Sequence, residues 1–116
     1  MSLENAVKQV CDMVAIPSVN PMGRPVKGDI YLESQLADFV EGKMKSLGMD
    51  VEKYEVMPGR PNVVGVMQKQ GKPILLLDSH LDTVPVEGMA SPFDPVIKNH
   101  QILGRGSCDT KASMAM

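Results

Sequence analysis

A histidine and an aspartate two residues apart, His80 and Asp82, have side chains whose types and spacing suit metal chemistry. In an extended segment, side chains at positions i and i+2 project to the same side, so the carboxylate of Asp82 can hold the imidazole of His80 in the tautomer that a metal ion requires. The pair follows an apolar run at residues 74–77, and ligands of open α/β sheets bind beyond the carboxyl ends of the strands. A His-x-Asp pair alone also has a structural explanation, in which both side chains cap or solvate the end of a strand.

A second carboxylate, Asp109, follows the Gly-Arg-Gly segment at residues 104–106. Glycine adopts backbone conformations that other residues avoid, so the chain can bend there and present Asp109 at the start of a helix. The usual role of an aspartate at a helix start is that of an N-cap. Considered singly, Asp109 is better explained as a cap than as a ligand, and a structural role explains His80 as well as a functional one does.

Four further polar side chains near these motifs are assigned no catalytic role. Cys108 has no activating base near it in sequence, which favours a packed, reduced thiol over a zinc ligand or a nucleophile. Lys111 and Arg105 have the charge to bind a substrate carboxylate, but surface charge is the commoner explanation for such residues. His100 falls in the turn of a predicted hairpin, where we expect it to be exposed.

Helices are predicted from hydrophobic periodicity and from the residues that begin and end them. They span residues 4–15, about 29–47, and the segment from about 110 onward. Gly48 follows the second of these helices and is a suitable terminating residue. The proline-rich loop at 16–25 is either a spacer or a loop that faces the site.

Strands are predicted from alternating and continuous apolar runs. Residues 51–57 and 62–68 predict an antiparallel hairpin, and residues 96–98 with 102–103 predict a shorter one. The continuous apolar run at 74–77 predicts a buried central strand covered by helices on both faces.

Composition narrows the class of protein. A chain of 116 residues with 43% hydrophobic and 22% charged residues fits one globular domain. A net charge of -2 without a basic run argues against a nucleic acid partner. The sequence has neither an apolar stretch that could span a bilayer nor a signal peptide, so we expect no membrane partner and a cytoplasmic location, where Cys11 and Cys108 stay reduced.

Three motifs, taken together and in this order, resemble one known family. The segments I-P-S-V-N-P, L-L-L-D-S-H-L-D-T-V-P and G-R-G-S-C-D-T-K-A are similar to those of the zinc-dependent family that includes aminoacylase, acetylornithine deacetylase, succinyl-diaminopimelate desuccinylase and glutamate carboxypeptidase. The resemblance implies an α/β fold. Residues 1–116 would be the N-terminal, incomplete part of a three-layer, mixed-sheet catalytic domain of the zinc-peptidase type.

The same resemblance implies a role for each candidate residue. His80 would ligate one metal ion, Asp109 would bridge two, and Asp82 would serve catalysis by orienting His80. The peptide bond between Asp109 and Thr110 would be cis. A complete site would hold two Zn²⁺ ions, with Co²⁺ or Mn²⁺ as alternatives, and would activate water to hydrolyse N-acyl amino acids or short peptides.

The family's general-base glutamate and its remaining metal ligands have no matching motif in this sequence. Because a zinc ion takes about four donors, we expect the chain to be a fragment that is inactive alone. A hypothesis from another class is a non-catalytic α/β module that self-associates or binds another subunit. Uncovered strand edges and apolar surface favour self-association under either hypothesis.

Overall fold

Three helices and four short strands form along the chain in the computed structural model, which describes residues 2–68 and 70–116. In chain order, these elements are α1 (Leu3–Val14), α2 (Ser34–Ser46), β1 (Asp50–Met57), β2 (Arg60–Val66), β3 (Val96–Lys98), β4 (Gln101–Leu103) and α3 (Lys111–Met114). The named strands form two separate antiparallel sheets, β1 with β2 and β3 with β4. The fold is therefore a small mixed α/β arrangement with short sheets, and the three-layer arrangement stays a prediction.

Helix α1 confirms its prediction because the signals that define it are local. Ser2 is the N-cap, and its hydroxyl accepts a hydrogen bond from the N–H of Asn5 at 3.2 Å, which satisfies one of the free donors at the helix start. The side chains that the helix buries are Val10, Met13 and Val14, which share one face at helical spacing.

Helix α2 begins at Ser34, later than predicted. Leu32 has a φ of 70°, which no right-handed helix accommodates, and its N–H donates to the C=O of Val19 at 3.0 Å. Because Leu32 pairs with the segment around Val19, the helix begins later than its sequence pattern predicts. The other end is as predicted, because Gly48 has a φ of 78° and donates its N–H to the C=O of Lys45 at 3.0 Å, closing the helix.

Both predicted hairpins form. Strands β1 and β2 pair from Asp50 opposite Val66 to the turn at Gly59, which has a φ of 78°. Strands β3 and β4 are joined by Asn99 and His100, whose φ values of 50° and 60° are those of a two-residue hairpin turn.

The apolar core is formed by side chains of α1 and α2 together with one residue after α3. Its buried members are Val10, Met13, Val14, Leu36, Val40 and Ala115. At the edge of this core, Arg60 donates two hydrogen bonds, at 2.9 and 2.8 Å, to the buried carboxylate of Glu33. No helix within the described ranges has the length and apolar character needed to cross a membrane.

The prediction of a buried central strand at residues 74–77 is wrong. Ile74 is 96% exposed and the three leucines after it are 80–84% exposed. In the described part of the chain, no strand lies beside this run, and its backbone groups make no hydrogen bond. A strand is stable only when a neighbouring strand takes up its N–H and C=O groups, so hydrophobicity alone does not produce one here.

Candidate metal centre

Residues 18–20 form the framework of the site because two other segments pair with them. On one side, the N–H of Thr83 donates to the C=O of Ser18, and the N–H of Asn20 donates to the C=O of Thr83, both at 2.8 Å. On the other side, Val19 exchanges hydrogen bonds of 2.9 and 3.0 Å with residues 30 and 32. Because Asp82 directly precedes Thr83, this pairing fixes the backbone of the predicted His-x-Asp motif against the loop after α1.

His80 and Asp82 lie side by side, as their spacing predicts. Nδ1 of His80 is 2.9 Å from the backbone oxygen of Asp82 and 3.1 Å from its Oδ1. Neither a carbonyl nor an ionised carboxylate can donate a hydrogen bond, so the proton is assigned to Nδ1, which donates to both oxygens. When the ring is neutral with its proton on Nδ1, Nε2 presents a lone pair, which is the form in which histidine binds a metal ion. When the ring is protonated, Nε2 is a donor as well.

Asp109 reaches the same place through the predicted tight turn. Gly104 and Gly106 have φ values of 157° and 83°, in the region that side chains disfavour. Beyond this turn, Oδ1 of Asp109 lies 3.0 Å from Nε2 of His80. The peptide bond between Asp109 and Thr110 is cis, as the resemblance implies.

The alternative interpretation of Asp109 as a helix cap is wrong. The N-cap residue of α3 is Thr110. Within the described residues, the Asp109 carboxylate makes one hydrogen bond, which it accepts from Nε2 of His80 when the ring is protonated. The Asp109 side chain is 79% exposed, so its remaining oxygen is accessible to a ligand.

The charges around His80 favour a cation at Nε2. Burial acts to lower the pKa of His80, but the hydrogen bonds to Asp109 and to the backbone of Asp82, with the charges of both carboxylates, outweigh it and raise the pKa above its usual value. The field that holds a proton between His80 and Asp109 also attracts a metal ion to the same two donor atoms.

Asn20 belongs to the site and was not among the residues predicted from sequence. Its Nδ2 donates to Oδ2 of Asp82 at 2.8 Å. The loop that carries Asn20 therefore faces the site, which decides between the two alternatives for residues 16–25. The available signal was a short polar side chain between Val19 and Pro21, which marks a turn but not the distant carboxylate it meets.

Lys111 is not a surface charge. Its side chain is fully buried, and Nζ donates to the C=O groups of Met13 and Ile16 at 2.9 and 2.7 Å. Burial lowers the pKa of Lys111 to about 8. These carbonyls lie at the C-terminal end of α1, where a cation interacts favourably with the helix dipole, so Lys111 joins the segment after Asp109 to that helix end.

Of two other polar residues, one contradicts its sequence-based prediction and one confirms it. Cys108 is exposed as a free thiol, so the prediction that it is packed is wrong. The tight turn that precedes it directs the chain toward solvent, and Cys108 and Asp109 are exposed together. His100 is exposed in its hairpin turn, as predicted.

The side chains present fit two of the ligands of a zinc-like ion. An imidazole nitrogen and a carboxylate oxygen are ligands for Zn²⁺, Co²⁺ and Mn²⁺. Two atoms that share one zinc ion at about 2.0–2.1 Å lie roughly 3 Å apart, and Nε2 of His80 is 3.0 Å from Oδ1 of Asp109. No group of three or more His, Cys, Asp and Glu side chains that could hold a metal occurs within residues 2–68 and 70–116.

Comparison with known proteins gives the family. Residues 76–116 match the model of "Peptidase family M20/M25/M40", and this segment contains His80, Asp82 and Asp109. The chain belongs to the M20 peptidase family. The recognition of the aminoacylase and deacetylase family from three sequence motifs is therefore confirmed.

Individual M20 relatives are hydrolases that act on amide bonds. The chain is 33% identical to the N-formyl-4-amino-5-aminomethyl-2-methylpyrimidine deformylase of Bacillus subtilis (strain 168), over 69% of this chain and 20% of that protein. It is 36% identical to an uncharacterized metallohydrolase of Methanocaldococcus jannaschii, over 92% and 28%. It is 32% identical to the succinyl-diaminopimelate desuccinylase of Stenotrophomonas maltophilia, over 90% and 26%. The chain thus spans between a fifth and somewhat over a quarter of the length of these curated relatives. Family and names together indicate a metal cofactor.

Proposed function

We propose that this chain forms the N-terminal part of the catalytic domain of a metal-dependent amidohydrolase that deacylates N-acyl amino acids or cleaves short peptides. The observation that carries the proposal is the 3.0 Å approach of His80 Nε2 to Asp109 Oδ1, within the segment that matches the M20 family. Relatives named for the removal of formyl and succinyl groups support amide hydrolysis as the reaction.

Each residue of the centre has a role in this proposal. His80 and Asp109 would hold the metal, with Zn²⁺ as the ion and Co²⁺ or Mn²⁺ as substitutes. When bound, these ions supply Lewis acidity toward an amide carbonyl and lower the pKa of water toward 7. Asp82 accepts a hydrogen bond from the Nδ1–H of His80 and so keeps the Nε2 lone pair directed at the ligand position.

We also propose that the 116 residues alone do not turn over substrate. His80 and Asp109 provide two donors, whereas each zinc ion takes about four. The chain also covers only 20–28% of the length of these relatives.

The test is an assay of the chain alone and of a chimera in which residues 1–116 replace the matching segment of the M. jannaschii metallohydrolase. Substrates are N-formyl, N-acetyl and N-succinyl amino acids and dipeptides, each with Zn²⁺ or Co²⁺. We expect no turnover by the chain alone and turnover of at least one substrate by the chimera.

Two histidine variants of the chimera make the assay specific. His80→Ala removes a proposed ligand and should lower kcat/KM by at least about 100-fold, the scale of a lost ligand or orienting group. His100→Ala removes an exposed hairpin histidine and should change kcat/KM by less than twofold. Equal activity of the His80→Ala and parent chimeras would disprove the ligand assignment.

The exposed apolar run at residues 74–77 favours a second candidate function, self-association of a non-catalytic module. Lys72 and Asp78 flank this run, and neither has an ion-pair partner within the described residues. If two copies pair antiparallel about Leu75, each Lys72 lies opposite Asp78 of the other copy. Directly opposite charges of unlike sign stabilise strand pairs, and the backbone groups of the run that face the other copy would be satisfied in the same step.

Sedimentation at several concentrations tests this candidate. Lys72→Asp and Asp78→Lys should each weaken the dimer, because like charges then face each other, and the double exchange should restore it. A parent chain that stays monomeric at all concentrations would remove the candidate. Dimers that are indifferent to the charge exchange would assign the contact to another surface.

A further inference from the structure

The side chain of Asn20 connects the loop after α1 to the candidate metal centre. Its Nδ2 donates to Oδ2 of Asp82 at 2.8 Å, while Oδ1 of the same carboxylate faces Nδ1 of His80 at 3.1 Å. We propose that Asn20 is a positioning residue, which holds the Asp82 carboxylate against Nδ1 of His80 and so favours the ring form that has its proton on Nδ1 and its lone pair on Nε2. The importance of this for metal binding rests on the proposed function.

The orientation of the Asn20 amide follows from its two partners. Oδ1 of Asn20 accepts the N–H of Met22 at 2.9 Å, and Nδ2 donates to the Asp82 carboxylate. The flipped amide would direct its oxygen at the carboxylate and its NH₂ group at an N–H, so both contacts would be repulsive. Asn20 therefore presents a donor to Asp82, and the Met22 contact prevents the amide from rotating.

The backbone of Asn20 is fixed next to the residue it positions. The N–H of Asn20 donates to the C=O of Thr83 at 2.8 Å, and Thr83 directly follows Asp82 in sequence. Val19 on the other side is 1% exposed and pairs with residues 30 and 32. The distance between the Asn20 amide and the Asp82 carboxylate is thus set by main-chain pairing rather than by free loops.

A carboxylate held at both oxygens has one available orientation. Without Asn20, the Asp82 side chain could rotate about its terminal bond, for which rotamer wells are broad, and turn away from His80. Nδ1 would keep only the backbone oxygen of Asp82 as an acceptor, and the imidazole would gain freedom to place its proton on Nε2. A proton on Nε2 occupies the position at which the metal binds.

The alternative is that Asn20 only builds its own turn through Met22. Asn20→Ser separates the two roles, because a serine hydroxyl can still accept the N–H two residues on but is too short to reach Asp82. Asn20→Ala removes both contacts. Asn62→Ala is the matched control, since Asn62 is exposed on β2 and its side chain makes no hydrogen bond within the described residues.

The primary measurement is made on the metal-free chain, by ¹⁵N NMR of the His80 ring at a pH where the ring is neutral. The Asp109 carboxylate at 3.0 Å from Nε2 competes for the ring proton in every variant. We therefore expect a larger Nδ1–H population in the parent and in Asn62→Ala than in either Asn20 variant. A Zn²⁺ titration followed at the same signals should give a 10–100-fold weaker affinity for the Asn20 variants, the range found for lost outer-shell partners.

The outcomes separate this inference from the function it rests on. Parent-like tautomers and Zn²⁺ affinity in Asn20→Ser would overturn the inference while leaving the metal centre intact. Failure of the parent to bind Zn²⁺ would leave the proposed function to be decided by the chimera assay, because the chain supplies two donors where zinc takes about four, while the tautomer measurement still decides the role of Asn20. Unfolding of both Asn20 variants, judged by circular dichroism, would assign Asn20 to the fold and also overturn the inference.

Discussion

Replacing Gly106 with alanine should cost more stability than replacing Gly88, although the two glycines have φ values of 83° and 82°. A Cβ atom at Gly88 would meet nothing within 4 Å, whereas one at Gly106 would lie 2.9 Å from Cγ2 of Thr83 and 3.1 Å from Cδ of Lys111. Gly88→Ala therefore measures the backbone cost alone. Gly106→Ala measures that cost together with the steric overlap between the new Cβ atom and the side chains of Thr83 and Lys111, whose contacts support the metal centre.

The expected magnitudes follow from these two contributions. The left-handed conformation costs an L-residue about 1–2 kcal/mol, and reduced freedom of the unfolded chain returns about 0.4–1 kcal/mol. Gly88→Ala should therefore destabilise by roughly 0.5–1.5 kcal/mol. Overpacking adds about 1–3 kcal/mol, which brings Gly106→Ala to about 2–4 kcal/mol.

Urea unfolding followed by circular dichroism gives both free energies. Thr83→Ser supplies an internal check, because it removes Cγ2 and keeps the hydroxyl. The double variant Gly106→Ala/Thr83→Ser should be more stable than the sum of the single effects by about 1 kcal/mol, as expected for residues in direct contact. Equal losses for Gly88→Ala and Gly106→Ala, or strict additivity with Thr83→Ser, would refute the close packing at Gly106.

Two further predictions concern the core and the buried lysine. Leu36→Ala should destabilise the chain by about 2–5 kcal/mol because Leu36 is fully buried. Leu47 is 65% exposed, so Leu47→Ala should change the free energy of unfolding by no more than about 0.5 kcal/mol. Equal urea midpoints for the two variants would contradict this prediction. For Lys111, the folded pKa of about 8 lies below the unfolded value of 10.5, so between these pH values the unfolded chain binds a proton that the folded chain does not, and stability rises with pH. The gain in the free energy of unfolding should reach at most about 3 kcal/mol and should be absent in Lys111→Met. If the stability of the parent stayed flat or fell relative to that variant from pH 8 to 10.5, the burial of a titrating amine would be contradicted.

The sequence predicts the elements whose stability is decided by neighbours in the chain. The Ser2 cap and the glycine after α2 are recognisable because each makes its hydrogen bonds within a few residues. The start of α2 is not recognisable, because Leu32 pairs with Val19, thirteen positions earlier. The run at 74–77 fails for the same reason, since a strand depends on a partner that a local apolar pattern does not reveal.

The residues of the candidate site also fall into two groups, those that the sequence identifies and those that only the structure identifies. His80, Asp82 and Asp109 stand in motifs, so their order in the chain and the residues beside them are enough to select them. Asn20 and Lys111 act through partners 62 and 95–98 positions away. From the sequence, Asn20 is only part of a proline-rich loop, and Lys111 is best explained as a surface charge. Only the contacts between distant chain segments identify their partners.

Lys111 gives a physical reason why the parts of the centre stay together. Its ammonium group accounts for the hydrogen bond accepted by Ile16 and one of those accepted by Met13, both at the end of α1, and the chain that leaves this helix continues directly into the loop carrying Asn20. Asp109 lies two residues before Lys111, so both sides of the centre are attached to the same helix end. Burying this charge would otherwise cost stability, but the ammonium group finds acceptors at a helix end, where carbonyls need donors. These hydrogen bonds keep the Asp109 carboxylate within reach of His80. With four residues, α3 is too short to fix that position by itself.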